Sequence, residues 1–364
     1  MKGTSSIAAL DQTSGVSADA PGPGTLPDPW RPARAQRTLA LFAVLLLGGV
    51  ALAIAIGAVP VPILAMVTAP GELTELQRMV LLELRLPRVA IAACTGAALG
   101  VAGACMQGLF RNPLAEPQLI GVSSGAALGA IAIIVLGDGL ALPDAARPYA
   151  LPVAAVLGAA AVTGGLYWFA SRRGDLGIAT MLLVGIAVNA LAAVGIGAFT
   201  YLADDGQLRS LTFWTLGSFG AASWDTVLPA IVVIGASIVV MRPVARALDL
   251  LQLGEIEARR LGVPIQALKR RVVFGAAAAV GAGVAVAGIV GFVGLVVPHL
   301  ARMLGGVQHG YLLPASALLG AALTVLADLG ARVVISPAEL PVGLITSAIG
   351  APFFLWLIAR MRRQ

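Results

Sequence analysis

The chain has 364 residues, of which 59% are apolar and only 12% charged, with a mean hydropathy of +0.93. Soluble domains carry about 25% charged residues, so this composition excludes a water-soluble fold and calls for lipid as solvent. The net charge of +6 does not point to nucleic acid, because the basic residues stand singly or in small groups at predicted helix ends, where membrane topology accounts for them.

Residues 1 to about 37 are rich in Gly, Pro, Ser and Ala and hold no apolar run, so they lack the core of a signal peptide and are expected to be a disordered cytoplasmic tail. From Leu39 onward, apolar stretches of about 20 residues recur, the length needed to cross a hydrocarbon core of about 30 Å. Spans are predicted near residues 39–59, 89–110, 119–137, 150–170, 178–201, 225–241, 270–290, 294–305, 312–331 and 341–359. The fold expected is thus an all-α polytopic membrane protein of about ten transmembrane helices, with residues 38–364 as its transmembrane domain. The eighth span contains Pro298 and is the weakest of them. Abundant Gly, 44 residues, and few aromatics, 5%, favour close helix packing. Cys94 and Cys105 share one predicted helix, too far apart to bridge, and read as small apolar residues.

Placing both termini in the cytoplasm leaves all but six of the 24 basic residues on the inner side, which satisfies the positive-inside bias. Trp30, Trp168, Trp224 and Trp356 then fall near helix ends, as an interfacial aromatic belt requires. An internal echo links Gly96-Ala-Ala-Leu-Gly-Val-Ala-Gly103 to Gly281-Ala-Gly-Val-Ala-Val-Ala-Gly288, each followed at the same distance by a proline, Pro113 or Pro298. With the copies in oppositely directed spans, the pattern is that of an inverted repeat.

The energy source is constrained by what is missing. There is no Gly-x-x-x-x-Gly-Lys-Ser/Thr phosphate loop, and the only lysines are Lys2 and Lys269. An ion-coupled carrier or a membrane scaffold is the rival class. Carriers keep carboxylates near the bilayer midplane, whereas the predicted spans hold almost none, Asp328 near a helix end being the main exception. Another subunit is therefore expected to supply the energy. The docking candidate is Leu251-Gln-Leu-Gly-Glu-Ile-Glu-Ala-Arg-Arg-Leu-Gly-Val263 in the longest inner loop. It reads as a short helix between glycines, with Leu251, Ile256 and Leu261 for packing and Glu255, Glu257, Arg259 and Arg260 for ion pairs; a solvated linker fits the same spacing.

The six outward basic residues are Arg78, Arg85, Arg88, Arg147, Arg209 and Arg332. Arginine pairs bidentately with carboxylates, which suits acidic groups on a soluble partner or on a substrate, although ordinary surface arginines fit these positions too. Two histidines, His299 and His309, cannot build a metal cluster, and no acid, base or nucleophile converges for catalysis.

Six stretches taken together resemble the permeases of ABC importers for haem, ferric siderophores and vitamin B12. They are Leu84-Arg-Leu-Pro-Arg88, Arg111-Asn-Pro-Leu-Ala-Glu-Pro117, Leu119-Ile-Gly-Val-Ser-Ser-Gly125, Leu253-Gly-Glu255 with Arg259 to Gly262, Gly291-Phe-Val-Gly-Leu-Val-Val-Pro-His299 and Glu339-Leu-Pro-Val-Gly343. The resemblance runs across about residues 80–360. It implies a ten-helix permease of a type II ABC importer in the bacterial inner membrane, paired with a second copy of itself. It also implies two ATP-binding subunits that hold ATP and Mg, and a periplasmic substrate-binding protein. By the same resemblance, Leu253, Gly254, Glu255, Glu257, Arg259, Arg260, Leu261 and Gly262 form the helix, about 251–262, that couples to the ATPase. Arg85, Arg88 and Arg332 would receive the binding protein, and Asn112, Leu114, Ile178 and Ala179 would form the cytoplasmic gate. At that gate, Ile178-Ala179 replaces a polar pair found in some relatives, which points to a hydrophobic constriction. The stretches Arg111 to Leu128 and Leu211 to Gly220 are most like haem permeases, so haem is the expected cargo, with no cofactor or metal held by this chain and with a siderophore or cobalamin as the alternative. Arg209 is then a candidate to guide an anionic cargo or to touch the binding protein.

Overall fold

The computed structural model describes residues 32–57, 59, 61–62, 73–171, 178–335 and 338–361; among them there are helices and connections but no strand. Most of the expected tail, Trp30 and the Arg172-Arg173 pair lie outside the described residues. In chain order the helices are α1 (Pro32–Ala55), α2 (Glu75–Phe110), α3 (Val122–Leu136), α4 (Arg147–Ser171), α5 (Ile178–Leu202), α6 (Asp205–Leu216) and α7 (Trp224–Met241). There follow α8 (Ala245–Leu251), α9 (Glu255–Arg260), α10 (Ile265–Ala287), α11 (Val293–Gly305), α12 (His309–Val333) and α13 (Val342–Met361). Seven of them are long and apolar enough to cross a membrane, and α3, α11 and α13 are shorter apolar helices, which together match the ten expected elements.

Helix α2 is the axis of the bundle, packed against α12, α10, α11 and α7. Its sequence explains why. Gly96, Gly100 and Gly103 line one edge, and a Cβ at any of them would collide with backbone of Gly320, Ser316 or Gly294. The same device joins α3 to α4, where Gly125 and Gly129 meet Gly158 and Ala154 backbone to backbone. In lipid, where burial of apolar surface gives helices no drive to associate, such close approach supplies the van der Waals contact that does. Large apolar side chains instead face outward, including Leu157, Leu183, Leu191 and Val232.

The chain's two ends of the bundle are easily told apart. At the lower end, Gln252 Nε2 donates to Gly108 O (3.0 Å) and Arg34 Nε to Leu304 O (2.8 Å), bringing together the start of α1 and the ends of α2, α8 and α11. At the upper end, Arg332 Nη2 donates to Ala53 O (3.1 Å) and Trp224 Nε1 to Leu82 O (2.8 Å). Helices α2 and α10 therefore run antiparallel, with Thr95 beside Gly283, as the inverted repeat anticipates. The two copies diverge at their prolines: Pro113 stands in a turn, whereas Pro298 stands inside α11.

The eighth predicted span is the shortest of the ten apolar elements. Helix α11 has 13 residues, about 20 Å at 1.5 Å per residue, and its first turn sits inside the bundle: Gly294 lies against Leu99 and Pro117. Leu99 is 11 residues before the end of α2, so this contact is about 16 Å from the lower end, near mid-depth. Pro298, the sixth residue of the helix, has no N–H to donate to Gly294 O, and Gln107 Nε2 donates to that carbonyl instead. The segment 111–121 folds back from the lower end to the same depth before α3 begins. Two irregular stretches, 112–116 and 288–292, thus meet inside the bundle, where irregular backbone is tolerated only if buried in protein or lining a cavity.

Candidate functional site

Three places on this scaffold collect the residues singled out above. The first is the lower end around α9. Gly254 (φ 109°) and Gly262 (φ 85°) flank the helix in conformations that side-chain-bearing residues rarely adopt, so the glycines of the motif set where it starts and stops. Leu253, Ile256 and Leu261 are 64%, 71% and 58% exposed and share one outward surface with Arg259 and with the Arg260–Glu257 ion pair (2.8 Å). Leu251 departs from expectation: it is fully buried as the last residue of α8, and Leu253 takes its place on the outward surface. The inner face of α9 is held by buried Ala258 and by Glu255, whose carboxylate lies 2.8 Å from Nζ of Lys269 on α10. Lys269 is fully buried, and the sequence reading missed its role. Its neighbours Leu268, Val272 and Val273 on the inward face of α10 were the available signal.

The second place is a cavity of about 400 Å³ where the irregular stretches meet, lined by Leu114, Glu116, Gln118, Ile289, Phe292 and Ser347, among others. Leu114, expected at the gate, is on its wall, and Asn112 shapes the turn beneath, its Oδ1 accepting from Leu114 N at 2.9 Å. Phe292 has φ 63° and packs against Gly350, a left-handed conformation that marks a strained, sharply turned backbone. The side chains of Ile178 and Ala179 lie outside the described residues. Arg209 is exposed on α6, away from the cavity lining.

The third is the upper-end charge network. Arg88 pairs bidentately with Asp328 (2.9–3.0 Å) and reaches Glu339 (2.9 Å). Arg332 Nε is 3.3 Å from Asp328 Oδ2, close enough for charge pairing without hydrogen-bond alignment. Arg85 donates to the carbonyls of Ile54, Ala55 and Val59, closing the end of α1 over α2. All three arginines expected to face a partner are thus committed inside the chain, and Glu339 is the exposed member of the network. Among the described residues no group of His, Cys, Asp and Glu has the spacing of a metal site.

Comparison with known proteins agrees with this architecture. The model of the FecCD transport family matches residues 44–360. The chain is 48% identical over 283 residues to the hemin transport system permease protein HmuU of Yersinia pestis, covering 78% of this chain and 84% of that one. It is 41% identical over 289 residues to the vitamin B12 import system permease protein BtuC of Vibrio parahaemolyticus, covering 79% and 85%. A solved ABC transporter assigned to the metal-chelate type, in an inward-facing conformation, superposes with a TM-score of 0.79 at 32% identity over 89% of this chain and 99% of its own. A family match across nearly the whole membrane domain, on an all-helical bundle with a mid-depth cavity, makes this chain a multi-pass permease belonging to the FecCD transport family.

Proposed function

We propose that this chain is the membrane permease of an ABC importer that carries haem from periplasm to cytoplasm, driven by ATP hydrolysed on a partner subunit. The observation that carries the cargo is the 48% identity to a hemin permease across 84% of that relative's length. A cobalamin cargo is the second reading, favoured by the 41% identity to a vitamin B12 permease. The lower end is the cytoplasmic one, because Arg34, Arg111, Arg259, Arg260, Arg270 and Arg271 gather there. Residues 38–364 form the permease, preceded by a cytoplasmic tail, in the bacterial inner membrane.

The exposed Leu253–Ile256–Leu261 surface of α9, rimmed by Arg259, fits a groove on the ATPase, where short helices dock by their apolar side chains. Two such ATPases, each with ATP and Mg, serve a pair of permeases whose pathway runs between them past Leu114, Asn112, Ile178 and Ala179. When the ATPases close, α9 moves. Through the buried Lys269–Glu255 pair α10 moves with it, and α10 ends at Ala287, whose carbonyl accepts from Ser218 N at 2.8 Å beside the cavity. Access then alternates by rigid-body motion of packed helices. At the periplasmic end the binding protein's acidic residues engage Arg88 by displacing exposed Glu339, with Arg85 and Arg332 beneath and Arg209 at the rim.

The test is the ATPase rate of the reconstituted complex with its binding protein loaded with haem or with cobalamin. Stimulation by the haem-loaded protein alone is expected. Stimulation by the cobalamin-loaded protein alone would replace haem with the second reading.

A further inference from the structure

The cavity at mid-depth holds a polar group that the membrane setting does not explain. Glu116, Gln118 and Ser347 converge on it from the re-entrant segment and from α13, and no described residue offers a hydrogen-bond partner to any of the three side chains. The adjoining Pro117 lies against Gly294 at the level of Leu99, so the partly buried Glu116 stands at mid-depth rather than near either membrane surface. An ionisable side chain at that depth is costly unless it faces a water-filled route or does work there. The rest of the wall is apolar: Leu114, Ile289, Phe292, Leu295, Leu344 and Phe354. Such a wall accepts the faces of a large flat ring, and the polar trio meets its edge.

Haem carries two carboxylates on one edge. We propose that Glu116, Gln118 and Ser347 form a contact site for that carboxylate edge, with Gln118 and Ser347 donating hydrogen bonds to it and Glu116 repelling it. This rests on the haem reading above. Attraction from two donors draws the cargo in; repulsion from one carboxylate, weakly screened at this depth, keeps it from settling. A conducting site must be favourable enough to enter and weak enough to leave, and one charge beside two neutral donors meets both demands.

The experiment uses the complete complex of permease, ATPase and binding protein in proteoliposomes with haem as probe, followed by purification and reading of the haem kept per permease from its Soret absorbance. Glu116→Gln is expected to raise retained haem about fivefold or more over wild type and to slow ATP-dependent uptake, since removing a like charge at short range is worth at least that factor. Adding Gln118→Ala and Ser347→Ala to Glu116→Gln is expected to abolish the gain. Equal retention by wild type and Glu116→Gln, or a gain that survives loss of both donors, would overturn the site while leaving the haem reading intact. Absence of haem uptake by the wild-type complex, with ATPase activity still stimulated by the binding protein, would overturn the haem reading and this inference with it.

Discussion

The Lys269–Glu255 pair makes an asymmetric prediction. Lys269 is 0% exposed on its side chain and Glu255 23%. Replacing Glu255 with Gln takes the carboxylate from a lysine that water cannot reach, and breaking a buried pair in this way costs about 3–5 kcal/mol. Replacing Lys269 with Met removes the buried charge itself and leaves Glu255 partly hydrated. That loss is nearer about 1–2 kcal/mol, the size of a lost charged hydrogen bond. Apparent Tm of the purified permease–ATPase complex should therefore fall further for Glu255→Gln than for Lys269→Met, and the double variant should recover most of the difference. The same variants should lower the ratio of haem transported to ATP hydrolysed, because α9 is no longer tied to α10. An equal or reversed order of the two Tm losses would refute the argument that burial of the lysine controls the energetics.

Further outcomes follow from packing and charge. Gly100→Ala should destabilise the bundle by about 1–3 kcal/mol, since its Cβ meets Ser316 backbone. Gly48→Ala, where nothing lies within 4 Å, should leave apparent Tm unchanged or higher. Arg88→Ala strips buried Asp328 of its bidentate partner and should cost about 3–5 kcal/mol, while Arg78→Ala, on an exposed arginine, should stay within about 0.5 kcal/mol in the same melt. Ile256→Asp should abolish copurification of the ATPase and leave the permease's own melting point in place, because Ile256 contacts solvent rather than core.

Much of the fold was legible because lipid imposes it. Ten apolar elements, their order and the small-residue packing all follow from a solvent that forbids unpaired backbone. What hydropathy could not see was depth. Val293–Gly305 has the apolarity of a span and about two thirds of the length, and only its contact with Leu99 and Pro117 shows where it begins. Glu116 was hidden for the same reason: it lies between two prolines in what reads as a surface loop, and the chain carries it back into the bundle. The arginines show a second limit. Sequence gives the sign of Arg85, Arg88 and Arg332 but not their partners, and Asp328 comes from a helix 240 residues beyond Arg88. At α9 the glycines marked the helix correctly, but the register that buries Leu251 and exposes Leu253 depends on α8 ending one residue before the turn.

The central claim is tested most directly by haem uptake into proteoliposomes that hold this permease with its copurified ATPase and the haem-loaded binding protein. The account predicts accumulation with ATP and none with a non-hydrolysable analogue. Accumulation that proceeds without ATP, or a purified permease that retains no ATPase, would contradict it.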